Sequence, residues 1–144
     1  MKKVMFVCTG NTCRSPMAEY LLKDLIKKAD IADIKVTSAG LKAEENSVIS
    51  KNATTALKKY GITVRRFKPK RTTADLCSKQ NAIICMTQNQ KKYFVGFNNV
   101  YTIDELTGAH EITDPYGGDQ TVYDECAKQL KFACEKIFEL LTKE

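Results

Sequence analysis

The feature that most limits what this chain can fold into is its first apolar run and the way that run ends. Val4-Met5-Phe6-Val7 has no polar alternation, which marks a strand buried on both faces. The strand, read from Lys3 to Val7, stops at Cys8-Thr9-Gly10-Asn11. Pro16 then suits a first helical position, and Met17, Leu21, Leu22, Leu25, Ile26 and Ala29 follow at helical spacing. A strand without a polar face needs neighbours beside it and layers above and below it.

The alternation continues. Residues 34 to 39 read as a second strand ending at Gly40, and Val48 to Tyr60 as a helix stopped by Gly61 in a left-handed cap. Thr73 to Lys79 reads as a short helix capped by its Thr. Residues 82 to 86 form another buried strand, Gln88 to Phe97 a helix, and Val100 to Ile103 a short strand. A loop runs on through Gly118. The last helix carries one stripe of Val122, Cys126, Leu130, Cys134, Ile137 and Leu141. Alternating strands and helices give an α/β fold, a parallel sheet with helices on both faces. Working sites in such sheets lie at the carboxyl ends of the strands, which is where Cys8 falls.

Length and composition fit one domain over residues 1–144, with 43% hydrophobic and 28% charged residues. The first apolar run is too short for a secretory core, and no segment has the length of a membrane span. A cytoplasmic, membrane-free protein with reduced thiols is therefore expected. Its six cysteines must be core filler, metal ligands, redox groups or a nucleophile.

Cys8-Thr9-Gly10-Asn11-Thr12-Cys13-Arg14-Ser15 joins the buried strand to the first helix. Successive backbone N–H groups of such a turn converge on an anion, and the helix N-terminus adds partial positive charge. Gly10 and Asn11 tolerate the left-handed dihedrals of a tight cradle. The same field favours Cys8 as a thiolate, a nucleophile towards phosphorus. Arg14 brings a planar fork for two phosphate oxygens. The Ser15 hydroxyl could donate to the sulfur and help it leave. The plain alternative is a buried Cys and a surface Arg that happen to flank a turn.

Transfer from a poor leaving group needs a proton donor. His110, the only histidine, lies in a polar stretch and reads as a surface residue. Asp114-Pro115-Tyr116-Gly117-Gly118 is the better source, because Pro115 stiffens the backbone beside Asp114. Taken alone, that segment is simply a good turn.

Together these segments resemble the low-molecular-weight protein tyrosine phosphatase family. Cys8 to Glu19 is similar to its signature loop and first helix, Ser38-Ala39-Gly40 to the end of its second strand, and Asp114-Pro115-Tyr116-Gly117 to its acid loop. The resemblance implies a four-stranded sheet in the order 2-1-3-4. It implies Cys8 as nucleophile through a phosphocysteine, Arg14 as phosphate clamp and Asp114 as general acid and then base. Thr9, Gly10, Asn11, Thr12, Cys13, Arg14 and Ser15 would surround the phosphate. Asn11, Ser15 and Ser38 would form a hydrogen-bonded frame. Phosphorylated proteins are the implied partners, with no metal or cofactor and a monomeric chain. Two departures stand out: Arg66 falls near a position where the family often has a supporting His, and Met86 is followed by Thr87 instead of Asp.

The substrate is read from the expected pocket wall. Aromatic faces suit a phosphotyrosine ring, and the acid loop offers one, Tyr116, before Gly117-Gly118. Thr12 stands where tyrosine phosphatases usually have Ile, and its hydroxyl suits a guanidinium better than an apolar ring. Thr12, Met86-Thr87 and the Gly-Gly pair together resemble the bacterial protein arginine phosphatase branch. Phosphoarginine is therefore preferred to phosphotyrosine. Cys13 could trap oxidised Cys8 as a reversible disulfide, or it could merely pack.

Two other classes share parts of this pattern. Arsenate reductases of similar fold carry a similar loop and two further redox cysteines after the third strand. Here Cys85 could be the first, but no Cys follows until Cys126. A phosphoprotein-binding module is suggested by eight basic residues and no acidic one between Asn46 and Thr73: Lys51, Lys58, Lys59, Arg65, Arg66, Lys68, Lys70 and Arg71. A solvated face explains that run more simply, no nucleic-acid motif accompanies it, and such a module would have no use for both Arg14 and Asp114.

Overall fold

The computed structural model describes residues 2–143. Four parallel strands, β1 (Lys2–Cys8), β2 (Ile34–Gly40), β3 (Ala82–Cys85) and β4 (Val100–Thr102), form one sheet in the order β2-β1-β3-β4. β1 is central, and its residues divide by parity. Val4, Phe6 and Cys8 face a core built with α1 (Arg14–Lys28) and α6 (Gln120–Thr142). Met5 and Val7 face a smaller core containing Cys77 and Phe94. This is the strand buried on both faces that the opening apolar run required.

Helix boundaries show where tertiary contacts override local pattern. α1 begins at Arg14, so Pro16 sits in its third position instead of its first. The proline is still tolerated, because the first four N–H groups of a helix have no partner inside it. α2 is shorter than expected, Lys51–Lys58, since the Ser50 N–H donates to the Thr12 carbonyl at 2.8 Å and draws residues 48–50 onto the loop after β1. Gly61 adopts the left-handed cap, with φ of 77°. α3 (Ala74–Ser78) is capped by Thr73, whose side chain accepts from the Leu76 N–H.

The helix expected from Gln88 to Phe97 is α4 (Gln88–Lys91) followed by a 3-10 turn, Lys92–Phe94. The turn buries Phe94, whose ring meets that of Phe97 edge to face with centroids 6.3 Å apart. Residues expected to form a loop after β4 include α5 (Ile103–Thr107). Its signal was present: Thr102 and Glu105 form a capping box, and Gly108 closes the helix in the left-handed region. Ile103 is therefore the first residue of α5, not the end of a strand. On α6 the buried stripe is Tyr123, Cys126, Ala127, Leu130, Ala133, Cys134 and Ile137. Val122 is instead exposed, because the adjacent Tyr123 ring takes the inward place.

Gly40 fixes the end of β2 against the loop. A Cβ there would lie 2.8 Å from both the Asn11 nitrogen and the Thr9 oxygen. Gly40→Ala is expected to lower stability by about 1–3 kcal/mol, the usual range for overpacking. Urea unfolding of the variant measures it, and an unchanged midpoint would show that the loop can yield.

Candidate active site

The loop from Cys8 to Arg14 crosses the carboxyl end of β1 and enters α1. Asn11 makes the turn with φ of 57°, in the left-handed region that Asn tolerates. Its side chain then holds the loop in place. The Asn11 amide group donates to Ser15 Oγ at 2.8 Å and Ser38 Oγ at 3.0 Å, and its oxygen accepts from the Lys70 N–H at 3.0 Å. The Ser38 hydroxyl donates in turn to Glu19 Oε1 at 2.6 Å. Glu19 is buried and also meets Lys23 Nζ at 2.5 Å.

The expected frame of Asn11, Ser15 and Ser38 is therefore assembled. Glu19 extends it, although nothing in the sequence beyond its place in α1 marked it. Arg66 takes no part in the side-chain network; the backbone of Lys70 supplies the contact from that region. Gln90, also unforeseen, is buried and ties the loop to β3. Its Oε1 accepts from Met86 and Thr87 N–H groups at 2.9 and 3.1 Å, while its Nε2 donates to Thr9 Oγ1 at 3.3 Å.

Inside this frame, Cys8 Sγ lies 2.9 Å from Ser15 Oγ. Ser15 Oγ accepts from Asn11, and its one proton faces the sulfur at 2.9 Å and, more distantly, the Ala39 carbonyl at 3.5 Å. Among the described residues, no protein acceptor takes the backbone N–H groups of Thr9, Gly10, Asn11, Thr12 and Cys13. α1 has no side-chain cap and no acidic residue in its first turn. A row of amides without protein acceptors, beside a helix N-terminus and its partial positive charge, is suited to an anion.

Arg14 is buried at 4% exposure and donates from Nη1 to the Ile112 carbonyl at 2.9 Å. Its Nη2 lies 3.6 Å from Asp114 Oδ2. Asp114 is half exposed, and its Oδ1 accepts from the Tyr116 N–H at 3.1 Å. One cavity of about 640 Å³ is lined by Cys8, Arg14 and Asp114 together, with Thr12, Cys13 and Tyr116 among its walls. His110 is exposed and does not line it.

Tyr123 is a second aromatic wall that the sequence did not single out. Its hydroxyl is 3.3 Å from Cys13 Sγ, and burial followed by that contact pushes its pKa up to about 12. It is therefore a neutral phenol at any ordinary pH. Val48, exposed because α2 starts late, also lines the cavity.

The six cysteines are all unpaired. Burial pushes the Cys85 and Cys126 thiols up to about 12, and raises those of Cys77 and Cys134 as well. These four are protonated packing groups. The described residues contain no group of three or more His, Cys, Asp or Glu side chains placed to hold a metal ion. No described helix is long and apolar enough to cross a membrane.

Comparison with known proteins places the chain in a family. Residues 3–144 match the model of the low molecular weight phosphotyrosine protein phosphatase family. The chain is 36% identical to the low molecular weight protein-tyrosine-phosphatase PtpB of Staphylococcus epidermidis, covering 94% of this chain and 96% of that protein. It is 30% identical to a protein-arginine-phosphatase of Bacillus subtilis, covering 98% and 97%. Among solved structures, a mutant of YwlE from Bacillus subtilis superposes with a TM-score of 0.92 at 30% identity, over 99% of this chain and 100% of that one. The chain belongs to the low molecular weight phosphotyrosine protein phosphatase family, and is a cysteine-based protein phosphatase of that family.

Proposed function

We propose that this protein hydrolyses phosphoarginine side chains of proteins through a phosphocysteine at Cys8. The row of unclaimed loop amides around Cys8 carries the catalytic reading. Those amides and Arg14 would hold the three terminal phosphate oxygens and follow them into the transition state. The Cys8 sulfur attacks phosphorus as the phosphorus–nitrogen bond breaks, and Asp114 gives its proton to the leaving nitrogen. Asp114, now a carboxylate, takes a proton from water. That water attacks the phosphocysteine, and the sulfur leaves with the Ser15 hydroxyl donating to it. Phosphate is released and Cys8 is regenerated. A solved relative supports this route: a cysteine-to-serine mutant of the YwlE arginine phosphatase with a phosphorylated active site serine. Six unpaired thiols suit a reducing compartment such as the cytoplasm.

The preference for arginine rests on Thr12, which lines the cavity beside Cys8. Its hydroxyl offers a guanidinium an acceptor that Ile would not. Tyrosine is the second reading. It is favoured by Tyr116, Tyr123 and Val48 in the same wall and by the PtpB relatives.

Three outcomes are expected. Wild type turns over phosphoarginine peptides with higher kcat/KM than matched phosphotyrosine peptides, and Thr12→Ile shifts the ratio towards tyrosine; an unchanged ratio removes the role given to Thr12. Asp114→Asn lowers kcat on phosphoarginine peptides roughly 100- to 10,000-fold, the usual worth of a positioned general acid. A loss of only a few-fold in steady-state assays would place the proton donor elsewhere. Peroxide-inactivated wild type regains activity with dithiothreitol, whereas Cys13→Ser does not; equal recovery would make Cys13 a packing residue.

A further inference from the structure

A smaller groove of about 250 Å³ adjoins the catalytic cavity and shares Thr9, Arg14 and Lys42 with it. Leu41 and the exposed Tyr93 form apolar parts of its wall. Its charge is one-sided. The catalytic cavity includes Glu44 and Asp114, whereas no carboxylate lines the groove.

Lys42 is exposed and has no acidic partner among the described residues. Its position is nevertheless fixed, because its backbone N–H donates to the Thr9 carbonyl at 2.8 Å. The basic run identified in the sequence does not line the groove, but its backbone runs beside the end of β2, two residues before Lys42. Arg71 pairs with Gly40 in a parallel bridge, the Gly40 N–H donates to the Lys70 carbonyl at 2.8 Å, and the Thr72 N–H to the Gly40 carbonyl at 3.0 Å. Lys68, Lys70 and Arg71 are exposed and likewise form no ion pair among the described residues. Positive charge therefore continues from Lys42 along the end of β2.

We propose that this groove binds an acidic side chain flanking the phosphorylated residue of a substrate protein. The carboxylate pairs with Lys42, and the aliphatic stem lies over Leu41 and Tyr93. Lys42 is on this account a specificity-determining residue and takes no part in bond making. The proposal rests on Cys8 marking the reaction centre, but not on the choice between arginine and tyrosine.

The test uses phosphopeptides that differ only in having Glu, Ala or Lys beside the phosphorylated residue, on either side. Phosphoarginine and phosphotyrosine sets are both run, with nitrophenyl phosphate as a substrate that has no flank. With whichever set is turned over, wild type is expected to prefer a Glu flank to Ala by about threefold in kcat/KM, the scale of an ion pair at a protein surface. The preference disappears in Lys42→Gln and shrinks in Arg71→Gln. It also shrinks in about 0.5 M salt, which screens exposed charges. Equal rates for Glu and Ala flanks, or a Glu preference that survives in Lys42→Gln, overturn the proposal. If turnover survives in Cys8→Ser, the reaction centre is misplaced and both readings fall. If turnover depends on Cys8 while flank preference is absent, only the groove assignment fails.

Discussion

The site depends on Asn11 being held in a left-handed turn. One side chain reaches three places at once: Ser15 on α1, Ser38 on β2 and the Lys70 backbone beside β2. Asn11, Ser15 and Ser38 are buried, and there an unsatisfied amide would be costly and a satisfied one is correspondingly rigid. The turn brings Cys8 Sγ and Ser15 Oγ together and leaves the loop N–H groups without protein acceptors. Gly40 permits the close approach from the other side. The loop is thus shaped before any anion arrives, which is the preorganisation that transition-state stabilisation needs.

Arg14 links this loop to the acid segment. Its guanidinium is buried, and a buried cation needs hydrogen-bond partners. The Ile112 carbonyl supplies one and so fixes the chain two residues before Asp114. The 3.6 Å approach between Arg14 and the half-exposed Asp114 carboxylate adds little binding energy by itself. Its value is positional: Arg14 and Asp114, the proposed clamp and acid, share one cavity although they lie a hundred residues apart.

The alternation of strands and helices and the loop after β1 were legible because strong local signals coincide there: an unbroken apolar strand, a loop of distinctive composition and a helical stripe. The family resemblance, which periodicity does not replace, supplied the strand order and the frame of Asn11, Ser15 and Ser38. Less legible was whatever depended on the packing of distant segments. The late start of α2 follows from a contact between Ser50 and Thr12. The break after α4 follows from burial of Phe94. Tyr123 displaced Val122 from the expected stripe because its ring turns inward towards Cys13. Glu19 and Gln90 look like ordinary polar helix residues until the fold closes over them. α5 is a different kind of omission, since Thr102, Glu105 and Gly108 announced it within seven residues.

The central claim is that the phosphoryl group passes through the Cys8 sulfur. It is tested most directly by mixing Asp114→Asn with phosphorylated substrate, quenching rapidly and locating the modification by peptide mass spectrometry. One added phosphoryl group is expected, bound to sulfur on the peptide containing Cys8 and absent when substrate is omitted. A phosphoryl group on another residue, or product formed in a single turnover with no phosphoenzyme at any quench time, would contradict it.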